Sequence, residues 1–194
     1  GRKYKGKKSG YGHTNDSKGC EILRDANLIW IDEISAEKAE KFLKMLSDKV
    51  SQDCKHIRLA IQSRGGSVPV ALALANLLEG LSCKITTYNI GSVDSAAIIL
   101  FASGEERVCS EHALFHLHGI GKELQGVQTK EMLLQALQEI DEDTRRVTQY
   151  LEACSGIIAA DTWREMMCSA RTLSATDALE LGLVNKIGEY RLQS

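Results

Sequence analysis

Residues 84–102 have the sequence KITTYNIGSVDSAAIILFA, and this stretch decides the fold. Its first part, KITTYNI, is rich in β-branched side chains and predicts a strand. Gly91 and Ser92 predict a turn, and the small and apolar residues from Ser95 to Ala102 predict a buried helix. A strand that leads through a glycine turn into a buried helix is typical of an α/β fold.

The same strand–turn–helix pattern precedes this stretch. HIRLAIQ at residues 56–62 alternates apolar and polar side chains and predicts a strand. The turn at residues 63–66 leads into a helix that opens with Ser67 and Pro69, because serine caps helices well and proline is tolerated in a first turn. Further strands are predicted at 27–31, 106–109, 113–118 and 183–187, and further helices from Ser35 and at 129–154, 159–168 and 174–181.

Composition predicts one soluble domain with an N-terminal extension. The 194 residues are 43% hydrophobic and 26% charged, which suits a single core. The net charge of −2 gives no reason to expect nucleic acid or an anionic membrane as partner, and no apolar run reaches the about 20 residues of a membrane span. Residues 1–20 are basic and rich in Gly and Ser, so we expect a flexible arm, either a disordered terminus or a binding arm, ahead of a domain at 21–194. No apolar segment follows the basic start, so we expect a cytoplasmic protein.

The six cysteines are spread singly and form no C-x-x-C pair. A chain of this size with a full apolar core does not need disulfides, and a zinc site would require clustered Cys and His. We therefore expect reduced thiols, no metal and no cofactor.

Ser95 and His118 are candidates for nucleophilic catalysis. Serine needs an adjacent base to become a nucleophile, and histidine suits that task at neutral pH. Glycine turns at 65–66 and 91 would expose backbone N–H groups that can stabilise a developing oxyanion. His112 and His116 compete with His118, and strand alternation does not choose between His116 and His118 because both point the same way.

Four segments resemble the Clp protease proteolytic subunit (ClpP) family, in order, between residues 28 and 187. They are IRLAIQSRGGSV at 57–68, YNIGSVDSAAIILFASGEERV at 88–108, ALFHLHGIG at 113–121 and TLSATDALELGLVNKI at 172–187. The resemblance implies a crotonase-like α/β fold with repeated β-β-α units and a protruding handle helix at about residues 119–154. It implies that Ser95 is the nucleophile and His118 the base, with the N–H groups of Gly66 and Ala96 forming the oxyanion hole.

The resemblance also implies a serine endopeptidase that cleaves peptides or unfolded proteins inside a homo-oligomer of stacked heptameric rings. An ATP-dependent AAA+ unfoldase would supply the substrate. A crotonase-fold acyl-CoA enzyme would instead require a glutamate in the site, and these segments show no glutamate at the site positions. The related signal-peptide peptidases would use a lysine base and a membrane anchor.

The chain departs from the family pattern at three positions. Arg64 replaces the proline of the first turn, and Asp94 replaces a small residue before the serine. The catalytic aspartate of the family falls on Ala170. Three interpretations remain open: a Ser–His dyad, a structural ring subunit with impaired or no catalysis, or a substitute acid that orients His118. The candidate orienting acids are Glu165, Asp161 and Asp94.

Overall fold

A seven-stranded sheet forms the centre of the protein in the computed structural model, which describes residues 25–192. The strands are β1 (Asp25–Ile31), β2 (His56–Ser63), β3 (Lys84–Asp94), β4 (Glu106–Cys109), β5 (Leu114–His116), β6 (Thr172–Ser174) and β7 (Lys186–Ile187). The order β1-β2-β3-β4-β7 is parallel throughout. The end of β3 also pairs in parallel with β5, which pairs antiparallel with β6.

Six helices connect these strands. They are α1 (Ala36–Ser51), α2 (Val68–Glu79), α3 (Ala97–Ala102), α4 (Lys130–Ser155), α5 (Ala160–Cys168) and α6 (Ala175–Glu180). The hydroxyls of Ser35, Ser67 and Thr129 cap α1, α2 and α4 by accepting a first-turn N–H, which explains why these helices begin close to the predicted positions. The α/β fold class is confirmed.

The turn predicted at Gly91 and Ser92 is wrong, because β3 continues through both residues to Asp94. The Gln62 side chain occupies the space beside this glycine. A Cβ at position 91 would lie 2.3 Å from Oε1 of Gln62, and that oxygen accepts a 2.7 Å hydrogen bond from the Ser92 N–H. The Gln62 side chain thus takes the place of a ladder partner where the β2–β3 register shifts between Ile61 and Ser63.

The core is one cluster in which α3 is buried completely. Every residue of α3 has at most 3% of its surface exposed, so the helix that follows Ser95 has no freedom to move away from the sheet. Phe101 of α3 meets Phe115 of β5 edge-to-face at 5.0 Å between ring centroids. This contact fixes the Ser95 helix against the strand that leads to His118.

Helix α4 corresponds to the predicted handle helix. Its second half packs on the core through Val147 and Leu151. Its first half exposes four large apolar side chains, Met132, Leu133, Leu134 and Leu137. Such a row of exposed apolar residues marks an interaction surface.

Three other expectations concern the cysteines, the N-terminal arm and membrane-spanning segments. No disulfide forms among the cysteines of residues 25–192, which are Cys54, Cys83, Cys109, Cys154 and Cys168. The arm expected at residues 1–20 lies outside the described residues. Between residues 25 and 192 we find no helix with the length and apolar character of a membrane span.

Candidate active site

Ser95 lies in the sharp turn between β3 and α3. Its φ of +54° is in the left-handed region, which a residue with a side chain adopts only when the surroundings impose it. Contacts on both sides of Ser95 impose this conformation. The Ser95 N–H donates a 2.8 Å hydrogen bond to the His116 carbonyl, and the next residues enter the buried helix α3.

The glycine turn at residues 65–66 packs directly against Ser95. Gly65 has a φ of +93°, and a Cβ there would lie 2.7 Å from Cβ of Ser95 and 3.0 Å from the Ala96 nitrogen. Gly66 has a φ of +143°, and its Cβ would lie 2.3 Å from the Ile34 carbonyl oxygen. Both positions therefore require glycine for backbone conformation and for space.

Two backbone N–H groups beside Ser95 are free to bind an anion. Ile34 holds the glycine turn in place by donating to the Gly65 carbonyl at 2.7 Å and accepting from the Ser67 N–H at 2.8 Å. Neither bond uses the N–H of Gly66. Within the described part of the chain, the N–H groups of Gly66 and Ala96 donate no hydrogen bond, as donors for a transiently formed oxyanion must be.

His118 follows β5, and its ring is held by the backbone of the next residue. Its Nδ1 donates a 2.8 Å hydrogen bond to the Gly119 carbonyl, which leaves Nε2 as the proton acceptor. His116 is placed differently, since its Nδ1 shares a 2.8 Å hydrogen bond with the Thr172 hydroxyl on β6. The structure therefore distinguishes two histidines that alternation leaves equivalent.

Ser95 and His118 line the same two adjoining cavities. The first is narrow and apolar and lies between α3 and the packed half of α4; its walls include Ile98, Leu117, Val147 and Met167. The second is an open cleft of about 420 Å³ that Gly66 also lines. Predicted nucleophile, base and one oxyanion donor thus meet at one surface cleft, with an apolar cavity beside them.

Comparisons with known proteins agree with this arrangement. Residues 12–191 match the Clp protease family. The chain belongs to the Clp protease family. It is 29% identical over 192 residues to the ATP-dependent Clp protease proteolytic subunit 2 of Treponema denticola, which covers 92% of this chain and 90% of that protein. It is 27% identical over 173 residues to proteolytic subunit 1 of Chlamydia felis, covering 86% of this chain and 82% of the relative.

A solved structure of a ClpP1 mutant from Listeria monocytogenes has the same fold. Its TM-score is 0.76 at 21% identity, covering 85% of this chain and 92% of that one. Membership in the Clp protease family makes the chain a Clp protease subunit of the serine peptidase class. Members of this family form oligomeric rings that work with Clp ATPases.

Ala170, to which the resemblance assigns the family's aspartate, lies two residues before β6, the strand that pairs with β5. Strands β5 and β6 pair His116 with Thr172, and the Leu117 N–H continues the pairing by donating to the Arg171 carbonyl at 2.8 Å. If this antiparallel register continued one step beyond the paired residues, Ala170 would lie across from His118. Ala170 has a φ of +51°, a conformation that aspartate and asparagine tolerate better than alanine.

Among the described residues, none of the three candidate orienting acids forms a hydrogen bond or ion pair with the His118 side chain. Asp94 accepts a 2.5 Å hydrogen bond from the Ser92 hydroxyl. Glu165 lines a separate cavity on the far side of α5, and Asp161 is exposed in the first turn of that helix. The sequence alone suggested these acids by residue type and by proximity in the chain, and a role for any of them in orienting His118 stays a prediction.

Two acids that sequence reasoning did not select line the cleft instead. Glu139 and Asp143 of α4 lie beside Ser95 and His118 together with Lys122. Their spacing of four residues places both carboxylates on one helix face. This spacing is the feature of the sequence that could have indicated a shared acidic surface. It was not sufficient, because nothing in the sequence indicates which face of α4 meets the cleft.

Proposed function

We propose that the protein is a serine endopeptidase in which Ser95 and His118 act as a catalytic dyad. Ser95 Oγ attacks the peptide carbonyl carbon while His118 Nε2 takes the hydroxyl proton. His118 then gives that proton to the leaving amine, and water hydrolyses the acyl-enzyme by the reverse sequence. The observation that carries this proposal is the imposed left-handed turn at Ser95, in one cleft with a histidine whose Nδ1 is already occupied.

The free N–H groups of Gly66 and Ala96 would stabilise the oxyanion of the tetrahedral intermediate. The contact of Gly65 with Ser95 and with the Ala96 nitrogen holds the two turns together, so the donors need not reorganise during the reaction. Preorganised donors of this kind contribute about 3–4 kcal/mol each to transition-state stabilisation.

The Gly119 carbonyl replaces one of the two functions of a triad acid. By accepting the Nδ1 proton it selects the tautomer in which Nε2 is the base. A neutral carbonyl stabilises the imidazolium less than a carboxylate does. We therefore expect a working but slow peptidase.

The assembly we propose is a homo-oligomer of stacked heptameric rings, with the cleft facing an inner chamber and a Clp-type ATPase supplying unfolded substrate. The exposed apolar residues on the first half of α4 support contact between rings. The relatives' names as ATP-dependent proteolytic subunits support the ATPase partner. Residues 21–194 would form the peptidase domain, preceded by the basic arm.

A non-catalytic ring subunit is the second candidate function, and the alanine at position 170, to which the resemblance assigns the catalytic aspartate, favours it. A fluorophosphonate probe separates the two, because it forms a covalent bond only with an activated serine. We expect labelling at Ser95 and hydrolysis of a fluorogenic peptide, both lost in Ser95→Ala, with the oligomer unchanged in light scattering. An intact oligomer whose Ser95 does not react would establish the structural role instead.

A further inference from the structure

The cleft beside Ser95 carries a charge pattern that the proposed reaction does not use. Four charged side chains line it together with Ser95 and His118: Arg64, Lys122, Glu139 and Asp143. Peptide-bond hydrolysis by a Ser–His pair requires none of them.

Three of these charges are neutralised by partners. Lys122 forms an ion pair with Glu139, and the Asp143 carboxylate lies 3.1 Å from Nη1 of Arg146. Arg64 takes part in no ion pair or side-chain hydrogen bond within residues 25–192. Among the charged side chains that line the cleft, Arg64 is therefore the one without an oppositely charged partner in residues 25–192.

The backbone of Arg64 is fixed relative to the catalytic turn. Its neighbour Gly65 is in van der Waals contact with Ser95 and hydrogen bonded to Ile34. Only the side chain can move, and it is exposed at the rim of the cleft. A guanidinium presents paired N–H donors that match the two oxygens of a carboxylate.

We propose that Arg64 is a specificity-determining residue that selects substrates with a carboxylate close to the scissile bond. The carboxylate belongs either to an aspartate or glutamate side chain of the substrate or to a free C-terminus released a short distance beyond the bond. This inference rests on the proposed function, because that function places the scissile bond at Ser95.

A binding measurement tests the inference independently of catalysis. Fluorescein-labelled peptides that differ only in Glu or Gln near the centre, each with a C-terminal amide or free acid, are titrated with the Ser95→Ala protein and followed by anisotropy. We expect the carboxylate form to bind about three- to fivefold more tightly, within the range of an exposed ion pair. A preference for Glu in amidated peptides identifies a side-chain carboxylate, and a preference for the free acid identifies the C-terminus.

Variants assign the preference to one side chain. Arg64→Gln in the Ser95→Ala background should remove it, and Arg64→Lys should keep most of it. Arg164→Gln on α5 is the matched control and should leave it unchanged, since Arg164 does not line the cleft. Glu139→Gln should increase it, because Lys122 then loses its partner. Raising the salt from about 0.05 to 0.5 M should weaken it.

The same peptides, assayed for cleavage by the protein with Ser95 intact, should show the same ratio in kcat/KM. Equal binding of carboxylate and amide forms, or a preference that survives Arg64→Gln, would overturn the inference. A protein that binds with the expected ratio but cleaves nothing would refute the proposed peptidase activity and leave the role of Arg64 in binding standing.

Discussion

Replacing Ala170 with aspartate tests whether position 170 acts on His118 and controls the rate. The observed β5–β6 pairing reaches Leu117 and Arg171, and one further step would bring position 170 to His118. The φ of +51° at position 170 suits aspartate. The new carboxylate could accept the Nδ1 proton in place of the Gly119 carbonyl. It would also stabilise the imidazolium that forms in the transition state, so the gain should appear in kcat more than in KM.

The expected size follows from what the structure already provides. Losing the acid from a complete triad typically costs about 10⁴-fold in kcat, but the tautomer of His118 is already set by Gly119. What remains is charge stabilisation, about 4 kcal/mol at 4 Å with an effective dielectric constant of 20 and about 1 kcal/mol in water. His118 is exposed, so we expect a gain toward the lower end, about tenfold or 1.4 kcal/mol.

Ala170→Asn is the control, because asparagine has the same shape and tolerance of the left-handed conformation but no charge. Initial rates on a saturating fluorogenic peptide give kcat for the wild type and both variants. If aspartate and asparagine give equal kcat, position 170 does not act on the histidine through charge, and the register argument is refuted.

Three further perturbations test the site and the assembly. His118→Ala should reduce peptidase activity to background while His116→Ala should retain most of it, because only the former shares the cleft with the nucleophile; the opposite order in a peptide assay would exchange their roles. Gly65→Ala should destabilise the protein by about 2–4 kcal/mol, from backbone strain at its φ of +93° and from contacts of 2.7 Å, whereas Gly188→Ala, whose Cβ would meet nothing closer than 3.6 Å, should not; equal midpoints in urea unfolding would contradict this. Leu137→Glu should dissociate the assembly without unfolding the subunit, since that side chain is 58% exposed; an unchanged mass in light scattering would exclude the first half of α4 from the interface.

Most elements of the fold could be predicted because their signals are local. Hydrophobic periodicity and capping residues placed α1, α2, α4 and α5 to within a residue or two at most ends. Strand β6 was not predicted, because a segment of three residues (Thr172–Ser174) carries too little pattern to stand out. The extent of β3 was also underestimated, since a glycine inside a strand looks like a turn until the Gln62 side chain beside it is seen.

The sequence supplied four candidate residues for the site. Ser95, His118 and Gly66 line one cleft, and Ala96 follows Ser95 in the chain. Their catalytic roles remain proposals. Among the candidate orienting acids, Asp94 is next to Ser95 in the chain, yet its carboxylate accepts a hydrogen bond from the Ser92 hydroxyl. Proximity along the chain does not determine where a side chain points, because neighbouring residues of a strand point to opposite faces of the sheet.

The sequence by itself determined the fold class, the family segments and the absence of an acid at position 170, because each depends on residue type and spacing alone. Only the tertiary structure decided how His118 is oriented, which acids reach the cleft and which charge there is unpaired. These depend on contacts between segments far apart in the chain. The packing of α4 against α3, the pairing of β5 with β6 and the contact of Gly65 with Ser95 bring those segments together, and no local pattern specifies the directions in which their side chains meet.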